Sequence, residues 1–531
     1  MGRQSAGNGF LRAAVAARGE GPVTAFTPFS ASAAIFRRTV ASMDPHAPVE
    51  WISAQRLDLL AQNGLLYRPD QVLGPMARQR LRVGPAAYSL CGVTHTLATH
   101  TTLDAIAKIV TEPVMPWDAL VCTSRAALSV VSAVLDHEAD YLRWRTGLAA
   151  VPALPLLPVI PLGVHTADFD FSAPDREAAR ARFGLAASDV VALCAGRLSI
   201  GGKAHPYPTF RALQAVAVEG GQPLVLLMAG QAYNPTIAAA FEAEAAATCP
   251  DVRVIFVDGK DAASYRSVWG AADFFVSLAD SIQETFGLTP LEAMAAGLPA
   301  LVSDWNGYRD TVRDGIDGFR VPTWAPSPGG GEAIASDYES GLNSYEAYLY
   351  RANTAVAVDM KALIARLREL VASPDVRRRL GAAGQERART TFDWSVVFRS
   401  YQSLWAEQSA IRRAAQTRAD TKAWLGQAPR SGADHMGPFE TFASYSTHHV
   451  TAATSVSLAF DLDVEAYKAI IARRAFPGWN VDPPIYETVR NAMRAGPSTV
   501  GDLSNAIRMP ELPLLEVVVR LAKLGVLALG S

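Results

Sequence analysis

The feature that most limits what this chain can fold into is an alternation. Short apolar runs, AYSLCGV (87–93), ALVCTS (119–124), VVALCAG (190–196), PLVLLMAG (223–230), VRVIFV (252–257), DFFVSL (273–278) and PALVSD (299–304), are separated by longer amphipathic stretches such as TFRALQAVAVEG (209–220) and NPTIAAAFEAEAAAT (234–248). Strands that are apolar throughout are buried on both faces, and parallel neighbours need a helical crossover, so the pattern predicts an α/β fold of parallel sheets covered by helices. The alternation comes in two blocks, before and after a proline-rich junction at about 161–188, and 531 residues exceed a single core. Two doubly wound domains facing each other are expected. They would occupy 1–165 and 166–390, closed by an aromatic helical stretch at 391–410. A linker and helical segment at 411–480 and a small, mainly α domain at 481–531 follow. In the last of these, GPSTVGDLSNAI and PLLEVVVRLAKLGVL read as helices joined by RMPEL, the second ended by Gly525.

Composition narrows the function classes. Half of the residues are hydrophobic, 19% are charged and the formal balance is -2, so no electrostatic footprint for nucleic acid or membrane is evident. The apolar stretch GLAAVPALPLLPVIPLGV (147–164) is interrupted by prolines at 152, 155, 158 and 161, which argues against a spanning helix. Charges within GFLRAAVAARGEG argue against a signal peptide. Cys91, Cys122, Cys194 and Cys249 form no C-x-x-C pair and read as buried free thiols of a reducing compartment. The D-x-D formed by Asp168 and Asp170 reads as a solvated loop, and APSPGGGEAIAS (325–336) as a surface insertion. GRQSAGNGFLRA reads as a glycine-rich loop opening a helix with no strand before it, so the first strand is expected to be missing or to lie upstream, with a frayed tail as the alternative.

The richest segment is ETFGLTPLE (284–292). Thr289, Pro290 and Glu292 have the spacing of a capping box, which would account for Glu292 structurally but leaves Glu284 and Gly287 unexplained. The loop follows a strand ending at Leu278 and precedes a helix, the place where open α/β sheets bind ligands. Phosphate at the N–H groups of Gly287, Leu288 and Thr289 would meet the positive end of a helix dipole. Glu284 and Glu292 on either side suit a diphosphate carrying hydroxyl-rich groups at both ends. In CAGRLSIGGKAHP (194–206), Arg197 and Lys203 follow a strand end on a glycine-rich loop and could neutralise such a diphosphate.

At these residues the chain resembles retaining glycosyltransferases of family 4. The E-x7-E pattern of Glu284 and Glu292 within ETFGLTPLEAMAAGLPALVSDWNG carries most of the resemblance, with GRLSIGGK upstream and DGIDGFRVP downstream. PVIPLGVHTADF (158–169) resembles the family's interdomain segment and FDWSVVFRSY its crossover helix, so the resemblance spans about residues 1–405. It implies the GT-B fold, two Rossmann-like domains facing across a cleft, and chemistry without a metal or tightly bound cofactor. A nucleotide sugar with a UDP, GDP, ADP or TDP moiety would be the co-substrate.

Residue by residue, the resemblance implies that Glu284 holds donor-sugar hydroxyls, Glu292 the ribose, and Arg197 and Lys203 the departing diphosphate. The backbone of Phe286, Gly287, Leu288 and Thr289 would line sugar and phosphate, and His95 in AYSLCGVTHTLATH would lie near the donor sugar. Gln4 and Gly7 are weaker candidates from the opening loop. The implied activity is sugar transfer with retention to an unidentified saccharide, lipid or small-molecule acceptor. Another GT-B enzyme, an epimerase or phosphorylase, and an inactive sugar-nucleotide-binding scaffold remain open. The tail resembles a winged helix; its balanced charge disfavours DNA and favours a protein partner or self-association. A cytoplasmic location, or a peripheral one at the inner membrane face, fits these expectations.

Overall fold

The structure, a computed structural model, describes residues 2–150 and 152–530. The chain forms two compact units, one up to Gly432 and one from Ala433 on. Within the first unit the expected α/β architecture of two facing Rossmann-like halves, the GT-B arrangement, is present.

The second half is built on six parallel strands, β6 (Val190–Ala195), β7 (Leu224–Gly230), β8 (Arg253–Asp258), β9 (Phe274–Ser277), β10 (Ala300–Ser303) and β11 (Gly318–Val321), in the order β11-β10-β9-β6-β7-β8. The inner strands β6, β7, β9 and β10 are buried along almost their whole length, as their unbroken apolar sequences require. One face packs on Trp269, Leu291 and Met294 and the other on Phe210, Leu213 and Leu367. All of these strands point their carboxyl ends toward the same loops, 196–206, 230–234, 258–262 and 278–288.

The first half is less continuous. β1 (Val23–Thr27) pairs with β2 (Val49–Ser53), and β3 (Leu65–Tyr67), β4 (Ser89–Val93) and β5 (Ala119–Val121) form a separate parallel sheet. Among the described residues no ladder joins β1 to β3, although Phe26 and Ile52 share a core with Leu66. The proline-rich run after Val151 is extended beside β5: Leu120 N–H donates to Leu156 O at 2.9 Å and Ile160 N–H to Cys122 O at 3.1 Å. An edge position is where prolines, lacking an N–H, are tolerated.

The expected opening loop is instead helical. Residues Gly2–Ala17 form one helix, pinned where Phe10 stacks on Tyr67 with ring centroids 4.1 Å apart. Gly9 serves close packing rather than a turn: a Cβ there would lie 2.3 Å from Trp394 Nε1. Trp394 opens the crossover helix, Trp394–Thr417, which is longer than the expected 391–410. Its last two turns fall in the helical segment expected to be separate from 411 on, and the polar groups along this end of the helix are used inward. Gln408 Nε2 donates to Leu90 O at 2.8 Å and Arg412 Nη1 to Ala87 O at 2.8 Å, tying the helix to the first half. Cys91, Cys122 and Cys249 are buried free thiols, and Cys194 is partly buried. Asp168 pairs with Arg12 at 2.6 Å. No helix among the described residues is long and apolar enough to cross a membrane.

The C-terminal unit begins earlier than the tail expected at 481. Its strand Ser455–Leu458 pairs antiparallel with Ser498–Thr499 and with Leu527–Gly530. Helices Pro483–Arg494, Val500–Ile507 and Glu511–Lys523 pack on Val456, Tyr467 and Tyr486, the two tyrosines stacked at 3.9 Å. Residues 455–467 fall within the linker and helical segment expected at 411–480, because a strand of only four residues leaves little periodic signal.

Candidate functional site

Between the two halves of the first unit lies a cavity of about 490 Å³. The first half contributes His95, Thr96 and Ser5; the second contributes Arg197, Lys203, Gln283 to Thr289 and Glu292. The halves also touch beside it: Ser124 Oγ donates to Thr285 O at 2.7 Å and Arg125 N–H to Asp310 Oδ2 at 2.6 Å.

The loop after β9 is fixed by close backbone approaches. Gly287 adopts φ +84°, and a Cβ there would lie 2.1 Å from the Tyr308 ring, so this position admits only glycine in this packing. Trp305 Nε1 donates to Ser281 O at 3.0 Å, holding the start of the same loop. Gly230 lets the loops after β6 and β7 meet, since a Cβ there would lie 1.7 Å from Gly196 O.

The capping box is not formed. The helix Thr289–Ala295 has Leu288 at its cap position in helical conformation, and no side chain accepts from its first turn. Starting one residue early puts Thr289 inside the helix, where its hydroxyl cannot reach back to cap. Thr289 Oγ1 is instead buried without a partner, and both it and the half-buried Glu292 line the cavity. Unpartnered buried polar groups are costly, and a ligand is one way to satisfy them.

Opposite them, Lys203 Nζ donates to the Glu284 carboxylate and, at 3.0 Å, to Tyr308 OH, which lies 2.9 Å from Ser277 Oγ. Burial alone would lower the Lys203 ammonium; the Glu284 carboxylate and Tyr308 hydroxyl outweigh it and hold the group well above its ordinary range. Burial likewise would raise Glu284, but Lys203 and then Arg197 overcome it and hold the carboxyl below its ordinary range. At Glu292 burial wins, only partly opposed by Lys203, and the carboxyl is pushed up to about 7. Two glutamates eight positions apart thus sit in one cavity with opposite shifts. Arg197 is exposed, and its Nη2 donates to Gln283 Oε1 at 3.1 Å. His95 Nε2 lies 2.9 Å from Pro69 O; a carbonyl only accepts, so that nitrogen carries the proton.

Of the residues singled out in the sequence, His95, Arg197, Lys203, Glu284, Glu292 and the Phe286–Thr289 segment therefore come together. Gln4 and Gly7 do not: both lie in the helix Gly2–Ala17, Gln4 is exposed, and it is Ser5 that reaches the cavity wall. Tyr308 and Tyr265, on separate helices, and Gln283 and Thr96, beside Glu284 and His95, are parts of the site or its support that belong to no motif read in the sequence. Asp280, just before the loop, is buried and pushed up to about 8; it bonds Asn353. No cluster of His, Cys, Asp or Glu among the described residues is arranged to hold a metal.

Residues 175–326 match the family described as glycosyl transferases group 1. Alpha-maltose-1-phosphate synthase of Mycolicibacterium smegmatis is 30% identical over 145 residues, 27% of this chain and 30% of the relative. D-inositol 3-phosphate glycosyltransferase of Geodermatophilus obscurus is 33% identical over 175 residues, 31% of this chain and 36% of the relative. The chain thus spans about a third of the length of these curated relatives. Among solved structures, Anabaena HepE in complex with UDP and glucose superposes with a TM-score of 0.48 at 15% identity, covering 76% of this chain and 96% of that one.

Proposed function

We propose that this chain transfers a sugar from a nucleotide-sugar donor to an acceptor with retention of configuration. The observation that carries the reading is one cavity lined by Glu284, Glu292 and the Gly287–Thr289 helix start, with Lys203 bonded to Glu284 and Arg197 beside them. The family match over the same half, residues 175–326, supports it.

In this reading the diphosphate lies against the helix start, where the first-turn N–H groups have no intrahelical acceptor, and is faced by Lys203 and Arg197. Glu292 and the free Thr289 hydroxyl take the ribose side, and Glu284, ionised at neutral pH, takes the hydroxyls of the sugar. As the bond between the anomeric carbon and the diphosphate oxygen breaks, its electron pair passes to that oxygen, and positive character grows on the sugar. Lys203 and Arg197 oppose the developing negative charge where it forms. The acceptor oxygen bonds the anomeric carbon on the face the diphosphate leaves, and its proton passes to the departing diphosphate. His95, from the facing half, lies near the sugar. Before a donor arrives Lys203 and Glu284 are paired, so donor binding exchanges that ion pair for one contact with phosphate and one with sugar.

The test is a thermal-shift and calorimetric screen of UDP, GDP, ADP and TDP, free and as sugar conjugates, against the wild type and Glu284→Ala. One nucleotide is expected to stabilise both proteins while only the wild type turns over its sugar conjugate. Inversion or hydrolysis of the donor without acceptor would favour an epimerase, and binding without turnover a scaffold.

A further inference from the structure

The stretch expected as a surface insertion, 325–336, is exposed almost throughout, and it is the segment after it that reaches the loops of the site. Beyond residue 326, where the family match ends, the chain forms helices Glu332–Glu339 and Tyr345–Asn353 before the short strand Ala357–Val358 pairs back with Thr323–Trp324. Tyr338 of the first of these helices packs on Tyr348 at 4.6 Å and on His100 of the facing half at 4.0 Å between ring centroids. The second helix lies on the loop that carries Arg197 and Lys203: a Cβ at Gly201 would come within 3.0 Å of the Tyr350 backbone.

Between this helix and the loops after β6 and β7 is a second cavity, of about 700 Å³. It shares Arg197, Gln231 and Gln283 with the first, so the two adjoin along a common wall. The wall is itself bonded to the insert: Arg197 donates to Gln283, whose Nε2 donates to Tyr345 OH at 3.3 Å. The chemistry differs from that of the first cavity. Tyr233, Tyr345 and Tyr350 offer aromatic surface, Leu349 and Ile200 aliphatic surface, Gln231, Asn234 and Gln283 amides, and Glu346 a carboxylate that accepts from hydroxyls. Tyr233 is 86% exposed, a large ring left against solvent at the rim.

We propose that this second cavity binds a saccharide, the sugar ring of the acceptor. The inference rests on the transferase reading above and names the substrate class for it. A pyranose has an apolar C–H face that suits an aromatic ring and a hydroxyl rim that suits donor-and-acceptor amides. A second phosphate would meet one cation, Arg197, already directed to the first cavity. An acyl chain would cover the Gln231 amide and the Glu346 carboxylate without offering either a hydrogen bond. The common wall brings a ring held here next to the groups assigned to the diphosphate and donor sugar.

The test uses the full chain and two side chains at the rim that take no part in the first cavity, in the variants Tyr233→Ala and Tyr350→Ala. Saturation-transfer NMR with methyl α-glucoside, methyl α-mannoside, methyl α-galactoside and N-acetylglucosamine reads saccharide binding, and calorimetry with the nucleoside diphosphate reads the first cavity. At least one sugar is expected to bind the wild type, to be weakened about tenfold in each variant, and to leave the nucleotide affinity within about twofold. Absence of any sugar signal in the wild type, or a signal that survives both variants, would overturn the proposal. So would a loss of nucleotide affinity in the variants, which would mean the cavity takes the base instead. Failure of the transferase reading is separately visible: the wild type would then bind sugar, sensitive to both variants, but no nucleotide.

Discussion

The two halves of the cleft contribute unequally. The second has one continuous six-stranded sheet, and the loops at its strand ends carry Arg197, Lys203, Glu284 and Glu292, every carboxylate, lysine and arginine that lines the first cavity. The first has its sheet in two pieces and offers His95, Thr96 and Ser5. A rigid buried sheet can hold opposite charges a few ångströms apart and move their pKa values in opposite directions. The first half instead depends on the crossover helix, contributed by the end of the other half, for its order.

Removing charge from the second half should have the largest effect. Lys203→Ala leaves Glu284 without its partner and removes a countercharge to the diphosphate, so kcat is expected to fall by about 10²–10³-fold. The same variant should lose about 3 kcal/mol of stability, read by urea unfolding. If Lys203→Ala transfers sugar at the wild-type rate, the asymmetry between the halves carries no chemistry.

Breaking the brace of the first half should come next. Gly9→Val drives a side chain into Trp394 and is expected to cost about 1–3 kcal/mol. Hydrogen exchange should show the loss around β3 and β4 and spare β6 and β7. Uniform loss over both sheets would mean the crossover helix braces both halves alike.

A smaller effect sharpens the difference between the two glutamates. Glu292 has a folded-state pKa of about 7 against an ordinary 4.5. The folded chain therefore holds this proton more tightly than the unfolded chain. Its contribution to stability is full below about pH 4.5 and is lost as pH rises through about 7. Glu292→Gln should flatten that decline and raise the stability of the unliganded chain at pH 8 by about 1–2 kcal/mol. Glu284, whose shift is downward, should show the reverse: its contribution is present above its ordinary pKa and lost on acidification. Parallel pH profiles for Glu284→Gln and Glu292→Gln would contradict the assignment of opposite environments.

The smallest expected effect concerns the opening helix. A Cβ at Gly7 meets nothing within 4 Å, so Gly7→Ala should stabilise by about 0.5–1 kcal/mol, in thermal unfolding, and leave transfer unchanged. A large loss of activity would restore that segment as part of the site.

The same contrast decides what could be read from sequence. In the second half the strands are unbroken apolar runs and the chemistry sits in contiguous loops, so β6 to β10 and the pairing of Glu284 with Glu292 were legible. The supports were not. Tyr308 lies 24 residues beyond Glu284 and meets Lys203 only through the fold. In the first half, glycine misled: its uses in turns and in close helix packing look alike in a sequence, and Gly9 belongs to the second kind. The capping box failed for a related reason, since Pro290 fits the first turn equally well when the helix starts one residue earlier. The insert's tyrosines lie beyond the serine-, proline- and glycine-rich stretch 325–336, in a segment that carries no motif of its own. Its tyrosines act only once Tyr338 has crossed to His100 and Tyr345 has reached Gln283.

The most direct test of the central claim is calorimetric titration of UDP, GDP, ADP and TDP into the wild type and Lys203→Ala. The cavity as described predicts that one nucleoside diphosphate binds the wild type and binds Lys203→Ala at least about tenfold more weakly. Binding of none of the four, or equal affinity for both proteins, would contradict it.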